Sequence, residues 1–189
     1  MSLFLRIAIY ISFLYLASEL TLTMVKRSSG KTAVKRKDRG SMIIIWAIIS
    51  LGIIMGFRYA HYGNWNPINY MVAVAGYLFI ISGLVIRWTS IIQLDKGFTV
   101  DVSIGKDHRL KTDGLYSVVR HPSYLGIILF LAGLSLVMNS LLSVAIVVLP
   151  VVAALLYRIH VEEDLLLESF GEEYRKYQKK TRRLLPFIY

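Results

Sequence analysis

The sequence predicts an all-α, polytopic integral membrane protein with about five transmembrane helices. Hydrophobic residues make up 56% of the 189 residues, and the mean hydropathy of +0.56 is too high for a soluble domain. The net charge is +10, but most basic residues fall in a few blocks between apolar stretches, as topology signals do. The chain has no cysteine, which excludes disulfides, thiol nucleophiles and cysteine-ligated metals.

Three apolar stretches predict the first three membrane helices, at residues 3–25, 42–59 and 69–94. The first is interpreted as a retained anchor and not a cleaved signal peptide, because its N-terminal region holds a single arginine, Arg6, while a strongly basic loop follows the stretch. Gly76 and Gly83 in the third stretch are small residues that allow close helix packing.

Apart from Arg6 and Arg58, which lie near the ends of their stretches, two charged residues fall inside these predicted spans: Glu19 and Arg87. A charge that faces lipid is costly, so Glu19 should face the bundle, where we expect a structural hydrogen bond or ion pair. Two alternatives stay open for Arg87. Its side chain either snorkels to the cytoplasmic interface or supports a functional site from below.

The basic segment 26–39 carries seven Lys or Arg residues against the single acid Asp38. A short loop of this charge stays in the cytoplasm, where anionic lipid headgroups are its expected contacts. Nucleic acid is disfavoured as a partner, because no aromatic residue interleaves the charges. Five spans, with the N-terminus outside and the C-terminus inside, place all the basic regions on the cytoplasmic face. At the other interface, His61 is interpreted as an interfacial residue and not a metal ligand.

Two shorter apolar stretches, 122–138 and 141–157, predict the fourth and fifth membrane helices. Only Asn-Ser separates them, which forces an antiparallel helical hairpin. Apolar residues at helical spacing continue to Phe170, so we expect the last membrane helix to extend outward as an amphipathic helix. Gly171 is the predicted break.

The segment 114–126, GLYSVVRHPSYLG, joins a polar stretch to an apolar one. Pro122 suits the first position of a helix, so the residues before it lie at a helix N-terminus, which favours anions. The topology places this segment and the 158–170 helix on the same side of the membrane. Six side chains can then share one cavity: Arg120, His121, Tyr124, Arg158, Glu162 and Glu163.

A simpler interpretation accounts for part of this cluster. Arg158 and Glu162 are four residues apart on a predicted helix, a spacing that an ordinary i,i+4 salt bridge also explains. No metal site is predicted, because the chain lacks HExxH and any other metal-ligand spacing. GxSxG, phosphate-binding and dinucleotide patterns are also missing from the sequence.

Three stretches carry a resemblance to a known family: RHPSY at 120–124, the preceding LKTDGLYSVV, and the tail RIHVEEDLLLESFGEEYRKYQKKTRRLLP. They resemble the isoprenylcysteine carboxyl methyltransferases, integral membrane enzymes, and in particular the short prokaryotic members. Phospholipid N-methyltransferases share parts of the pattern. The resemblance implies one methyltransferase domain over 1–189. Residues 1–92 would hold three membrane helices, and 93–189 a cofactor-binding loop, the hairpin and the C-terminal amphipathic helix.

The resemblance implies S-adenosylmethionine as the methyl donor, held in a cytoplasmic pocket. Arg158 and Glu162 would be the catalytic residues, with Arg158 orienting the acceptor carboxylate. Whether Glu162 or Glu163 contacts the cofactor or the substrate stays open. The implied cofactor-binding residues are Lys111, Tyr116, Val119, Arg120, His121, Pro122, Tyr124 and Glu163.

The chemistry agrees with this resemblance. Methyl transfer from a sulfonium is an in-line displacement that needs alignment more than acid–base help. A carboxylate acceptor is already ionised and needs an arginine and a dry site. An amine, thiol or hydroxyl acceptor would want a base, for which Glu162 is the nearest candidate.

We therefore predict methyl transfer to the carboxylate of a lipophilic, prenylcysteine-like acceptor in a prokaryotic cell membrane. The alternatives are a methyltransferase for phospholipids or other small lipophilic acceptors, an NADPH-dependent membrane reductase, and a non-enzymatic lipid-binding scaffold. A prokaryote would lack the usual prenylated proteins, so the native acceptor stays open. The sequence gives no oligomeric state.

Overall fold

The computed structural model describes residues 3–25, 33–38, 41–62, 69–94, 102–105 and 110–185. Within these ranges the chain forms six α-helices: α1 Leu3–Val25, α2 Ser41–Tyr62, α3 Tyr70–Leu94, α4 Pro122–Val137, α5 Leu141–Phe170 and α6 Glu172–Lys180. The helices confirm the predicted all-α class and follow the five predicted apolar stretches closely.

Four of these helices, α1, α2, α3 and α5, are long and apolar enough to cross a membrane. The fourth predicted span, α4, has 16 residues and rises about 24 Å, which is short of a hydrocarbon core of about 30 Å. Large apolar side chains cover the outward helix faces, as a lipid environment favours, for example Leu51, Leu78 and Ile81.

The closest helix contact joins α3 and α4 through glycines. Gly83 faces Gly126, and Gly76 faces Gly133 one layer further along. A Cβ added at Gly83 would lie 2.5 Å from the backbone nitrogen of Phe130, so only glycine permits this approach. The close packing predicted for Gly76 and Gly83 is thus confirmed, and it presses the end of α3 against the start of α4.

The α4–α5 hairpin forms as predicted. Asn139 adopts a positive φ of 54° in the connection, and Ser140 caps α5 by accepting a hydrogen bond from the Ser143 backbone N–H at 3.3 Å. Helix α5 continues without interruption to Phe170 and ends at Gly171, whose φ is 51°. The predicted extension beyond the apolar stretch and the predicted break are both confirmed.

A short β-ribbon was not predicted. Strands β1 (Ala33–Asp38) and β2 (Val102–Gly105) pair antiparallel and lie against α5. The charged residues and glycines of these two regions predict loops: β1 is mostly charged, and the alternation in β2 covers only four residues. The rest of the basic segment 26–39, and most of the polar stretch before residue 110, lie outside the described residues.

Candidate functional site

The RHPSY turn, residues 120–124, begins α4. A 3₁₀ turn at Gly114–Ser117 precedes it, and Pro122 occupies the first helical position after the N-cap residue His121. The His121 carbonyl accepts hydrogen bonds from the backbone N–H groups of Tyr124 and Leu125 at 3.1 and 3.2 Å. The predicted helix start at Pro122 is confirmed.

The chain after α6 pairs with this turn. Val119 and Arg182 form a parallel bridge, and the Arg120 backbone N–H donates to the Arg182 carbonyl at 2.7 Å. The His121 N–H donates to the Arg183 carbonyl at 3.0 Å. The Arg120 guanidinium also donates to the Thr181 carbonyl at 2.5 Å. The C-terminal segment is therefore held against the turn by main-chain and side-chain bonds.

Glu163 of α5 is the centre of the buried electrostatics. Its Oε1 accepts from Arg120 Nε at 2.7 Å and lies 3.3 Å from His121 Nε2. Its Oε2 accepts from Arg183 Nε at 2.9 Å. Only 4% of Glu163 is exposed, so these cationic neighbours replace the water that the carboxylate has lost. The contact joins α5, the RHPSY turn and the C-terminal segment at one point.

A second set of contacts joins Arg158, Tyr124 and Glu162. Arg158 Nε donates to the Tyr124 hydroxyl at 2.9 Å, and that hydroxyl donates to Glu162 Oε2 at 2.7 Å. The His121 and Tyr124 rings stack at 14° with centroids 5.6 Å apart. Arg158 is 3% exposed, whereas the Glu162 side chain is 32% exposed. Tyr124 thus links two residues that spacing alone had placed in a simple ion pair.

Two of the predicted cofactor residues, Tyr116 and Lys111, form side-chain bonds with residues outside this cluster. Tyr116 is buried, its hydroxyl donates to the Ser90 carbonyl at 3.3 Å, and burial raises its pKa. Lys111 pairs at 2.9 Å with Asp113, and this hydrogen bond lowers the pKa of the Asp113 carboxyl. Within the described part of the chain, Lys111 makes no ion pair with Glu162 or Glu163.

Four residues of the candidate site, all of them C-terminal, were not predicted from the sequence: Tyr174, Tyr177, Thr181 and Arg183. Tyr177 donates to the Tyr116 carbonyl at 2.6 Å, and burial raises its pKa to about 12. The Tyr174 hydroxyl is buried without a hydrogen-bond partner in the described structure, and burial raises its pKa too. The FGxxYxxY pattern was a signal for both tyrosines, since residues three apart share a helix face.

Glu19 of α1 and Arg87 of α3 meet each other beneath the RHPSY turn. Arg87 donates through Nε to Glu19 Oε1 at 2.8 Å and through Nη2 to Oε2 at 2.7 Å. Its Nη1 donates to the Ser123 hydroxyl. Both charged residues are 1% exposed. The ion pair expected for Glu19 is confirmed. For Arg87 the snorkelling alternative is wrong, because its guanidinium supports the turn from below.

A family model, that of the isoprenylcysteine carboxyl methyltransferase (ICMT) family, matches residues 74–168. The match includes the RHPSY turn, Arg158 and both glutamates, and excludes the tyrosines of α6.

Curated relatives match over a similar length. The protein-S-isoprenylcysteine O-methyltransferase of Schizosaccharomyces pombe is 32% identical over 121 residues, which cover 63% of this chain and 50% of that protein. The enzyme of the same name from Tribolium castaneum is 34% identical over 110 residues, or 57% of this chain and 39% of that protein. The aligned part of this chain thus spans about half the length of these relatives.

A solved structure of "the eukaryotic intramembrane Ras methyltransferase ICMT" is also similar. It has a TM-score of 0.58 and 27% sequence identity, and the alignment covers 78% of this chain and 51% of that one. Together with the apolar helices, this match identifies an integral membrane protein.

Proposed function

Because this chain belongs to the isoprenylcysteine carboxyl methyltransferase family, we propose that it is a membrane methyltransferase. Its donor would be S-adenosylmethionine, and its acceptor the carboxylate of a lipophilic, prenylcysteine-like molecule. The observation that carries the proposal is the contact chain from buried Arg158 through Tyr124 to Glu162, at the end of the apolar helices. By the distribution of basic residues, the site and the C-terminus face the cytoplasm.

The charge balance of the site supports an anionic ligand group. Three guanidinium groups, those of Arg120, Arg158 and Arg183, face two carboxylates, those of Glu162 and Glu163. Among these five side chains, positive charge exceeds negative charge by one. Such surroundings favour an anionic ligand group such as a carboxylate, because charged hydrogen bonds are strong where water is excluded.

The same residues fit the chemistry of S-adenosylmethionine, which supplies an electrophilic methyl group when bound. Glu162 offers a partly exposed carboxylate to the cationic groups of the cofactor, and the stacked His121 and Tyr124 rings offer aromatic faces to a cation. The buried hydroxyl of Tyr174 is a further polar group for a ligand. Lys111, Tyr116, Val119 and Pro122 complete the proposed cofactor-binding set.

The role proposed for Arg158 is to orient the acceptor. Its planar guanidinium can bind a carboxylate in a bidentate manner, and its burial keeps water away from that contact. Tyr124 and Glu162 fix the guanidinium from one side. A carboxylate acceptor is already ionised, so no residue has to remove a proton before methyl transfer.

The test measures cofactor binding and turnover separately. Calorimetry on the purified protein in mild detergent should detect saturable S-adenosylmethionine binding, lost in His121→Ala. Arg158→Ala should keep cofactor binding but lose about 100-fold in kcat/KM with a prenylcysteine analogue, which equals about 2.7 kcal/mol of transition-state stabilisation. Arg175→Ala is the control, because Arg175 pairs with Glu172 on the solvent-exposed face of α6.

Two results would overturn the proposal. One is the absence of S-adenosylmethionine binding by folded protein, and NADPH binding under the same conditions would favour the reductase. The other is full turnover by Arg158→Ala, which would remove the role assigned to this arginine.

The variant Glu162→Gln distinguishes a phospholipid amine from a carboxylate as the methyl acceptor. An amine must lose a proton, so removal of the carboxylate should then lower kcat by about 100-fold or more. With a carboxylate acceptor and saturating S-adenosylmethionine, the same variant should lose much less kcat, because no proton is removed and only the contacts of Glu162 with Tyr124 and the cofactor change. The comparison uses the prenylcysteine analogue and phosphatidylethanolamine in parallel assays.

A further inference from the structure

A groove of about 450 Å³ lies between α1 and α2, at the end of the bundle opposite the RHPSY turn. That end is defined by contacts between helix termini. Tyr77 donates to the Phe4 carbonyl at the start of α1, and Ser143 at the start of α5 donates to the Gly56 carbonyl near the end of α2. The RHPSY turn begins α4 at the other end of the bundle, so the length of that helix, about 24 Å, lies between the turn and the groove's outer end. The groove is thus distinct from the proposed methyltransferase site.

The wall of the groove is hydrocarbon. Six side chains form most of it: Ile9, Phe13 and Leu16 from α1, and Ile53, Ile54 and Phe57 from α2. The Ser12 hydroxyl, also in the wall, is satisfied by the Ile9 carbonyl at 2.8 Å. The volume lies within the roughly 300–1,000 Å³ of small-molecule sites and suits one hydrocarbon chain. A membrane-spanning helix, about 10 Å across and about 30 Å long, would occupy several times this volume.

The mouth of the groove is cationic and aromatic. Arg58, His61 and Tyr62 line it, and the Arg58 guanidinium carbon lies 5.7 Å from the centre of the Tyr62 ring. The sequence has no Asp or Glu between Asp38 and Asp95, and none in residues 1–18 or 114–161. Among the described residues, this end of the bundle therefore brings the Arg58 guanidinium, the His61 ring and no acidic side chain to the mouth. Its charge is complementary to an anionic headgroup.

We propose that the groove binds one anionic membrane phospholipid. One acyl chain would lie along the apolar wall between α1 and α2, and the phosphate would be held by Arg58 and His61. Tyr62 would lie at headgroup level, where aromatic residues are favoured. This site goes beyond the proposed methyl transfer and does not depend on it.

Native mass spectrometry of the detergent-purified protein tests the proposal with dioleoyl phosphatidylglycerol and dioleoyl phosphatidylcholine, which share their acyl chains. We expect one bound lipid per chain, with phosphatidylglycerol about fivefold tighter, as one cation near an anionic headgroup provides. The double substitution Arg58→Gln/His61→Gln should abolish this preference. Arg6→Gln should keep it, since Arg6 is an exposed cation near the start of α1 but does not line the groove.

A second pair of variants tests the apolar part of the groove. Ile54→Trp should fill it and weaken both lipids, whereas Leu51→Trp should not, because Leu51 is as exposed on α2 (57% against 56%) but lies outside the groove. Thermal unfolding of every variant in mild detergent confirms an intact fold, and calorimetry with S-adenosylmethionine on the same samples separates this proposal from the methyltransferase. Equal binding of the two lipids by the unmodified protein, unchanged binding in Ile54→Trp, or a lipid-free dimer would overturn it.

Discussion

Two ionic clusters contact the RHPSY turn from opposite sides, and they differ in charge balance. The inner cluster, in the membrane helices, is one carboxylate and one guanidinium, Glu19 and Arg87, with the Ser123 hydroxyl. Both charges are fully buried and match one to one in a bidentate pair. Such a pair has no charge left for a ligand, so its role is to hold α1, α3 and α4 together.

The outer cluster is unbalanced. Glu163 contacts Arg120, Arg183 and His121. The Tyr124 hydroxyl joins Arg158 to the second carboxylate, that of Glu162. The Arg183 and Glu162 side chains are 38% and 32% exposed, so this cluster reaches solvent. This difference supports a structural role for the inner cluster and the proposed ligand-binding role for the outer one, although both have buried charges. The predictions below test that separation.

The largest effect is expected at the inner cluster. Glu19→Leu or Arg87→Met alone would leave an unpaired buried charge and should lower the free energy of unfolding by about 3–5 kcal/mol. The double variant should recover most of the loss, because both charges are then gone. Thermal unfolding in mild detergent measures all four proteins. Additive losses would show that the two residues do not act as a pair.

At the outer cluster, Glu163→Gln should affect binding as well as stability. The amide keeps the shape but loses the charge that Arg120 and Arg183 share, so we expect a loss of about 1.5–3 kcal/mol in stability. Cofactor affinity should fall in the same variant, because the turn that carries His121 and Tyr124 loses its anchor. Unchanged cofactor affinity in a destabilised Glu163→Gln would show that the outer cluster is structural only.

The position of Arg87 relative to the turn depends on a glycine contact. A Cβ at Gly126 would lie 2.7 Å from the Arg87 backbone nitrogen, so Gly126→Ala should force α3 and α4 apart and cost roughly 1–3 kcal/mol. At Gly52 the nearest atom would be 3.5 Å away, and Gly52→Ala should be neutral or stabilise α2 by about 0.5–1 kcal/mol. Equal thermal stability of the two variants would contradict this explanation of the α3–α4 contact.

The smallest effect is expected at Tyr177. Tyr177→Phe removes the hydrogen bond to the Tyr116 carbonyl and should cost about 1 kcal/mol near neutral pH. The folded-state pKa of about 12 exceeds the unfolded value of about 10. The neutral phenol's stabilisation is therefore present below pH 10 and is lost as pH rises toward 12. Unfolding midpoints between pH 8 and 11.5 should decline less in the phenylalanine variant than in the unmodified protein.

The sequence was sufficient for the helices and for the location of the RHPSY turn. Apolar stretches of spanning length, the Asn-Ser connection, Pro122 and Gly171 are local signals, and the structure places helix starts and ends close to them. Glycine spacing also predicted close packing by α3, although not that Gly126 and Gly133 would form the partner surface.

The partners of the charged side chains were decided by the tertiary structure alone. Glu19 and Arg87 are 68 residues apart in the sequence. A charged residue within an apolar stretch indicates that it needs a partner, but not which residue the partner is. The C-terminal segment likewise reaches Arg120 and Glu163 only because α6 reverses direction after Gly171 and returns the chain to the turn. Local sequence encodes where a helix begins, ends and is apolar. Which distant charge neutralises which depends on how the helices pack, and no local pattern specifies that.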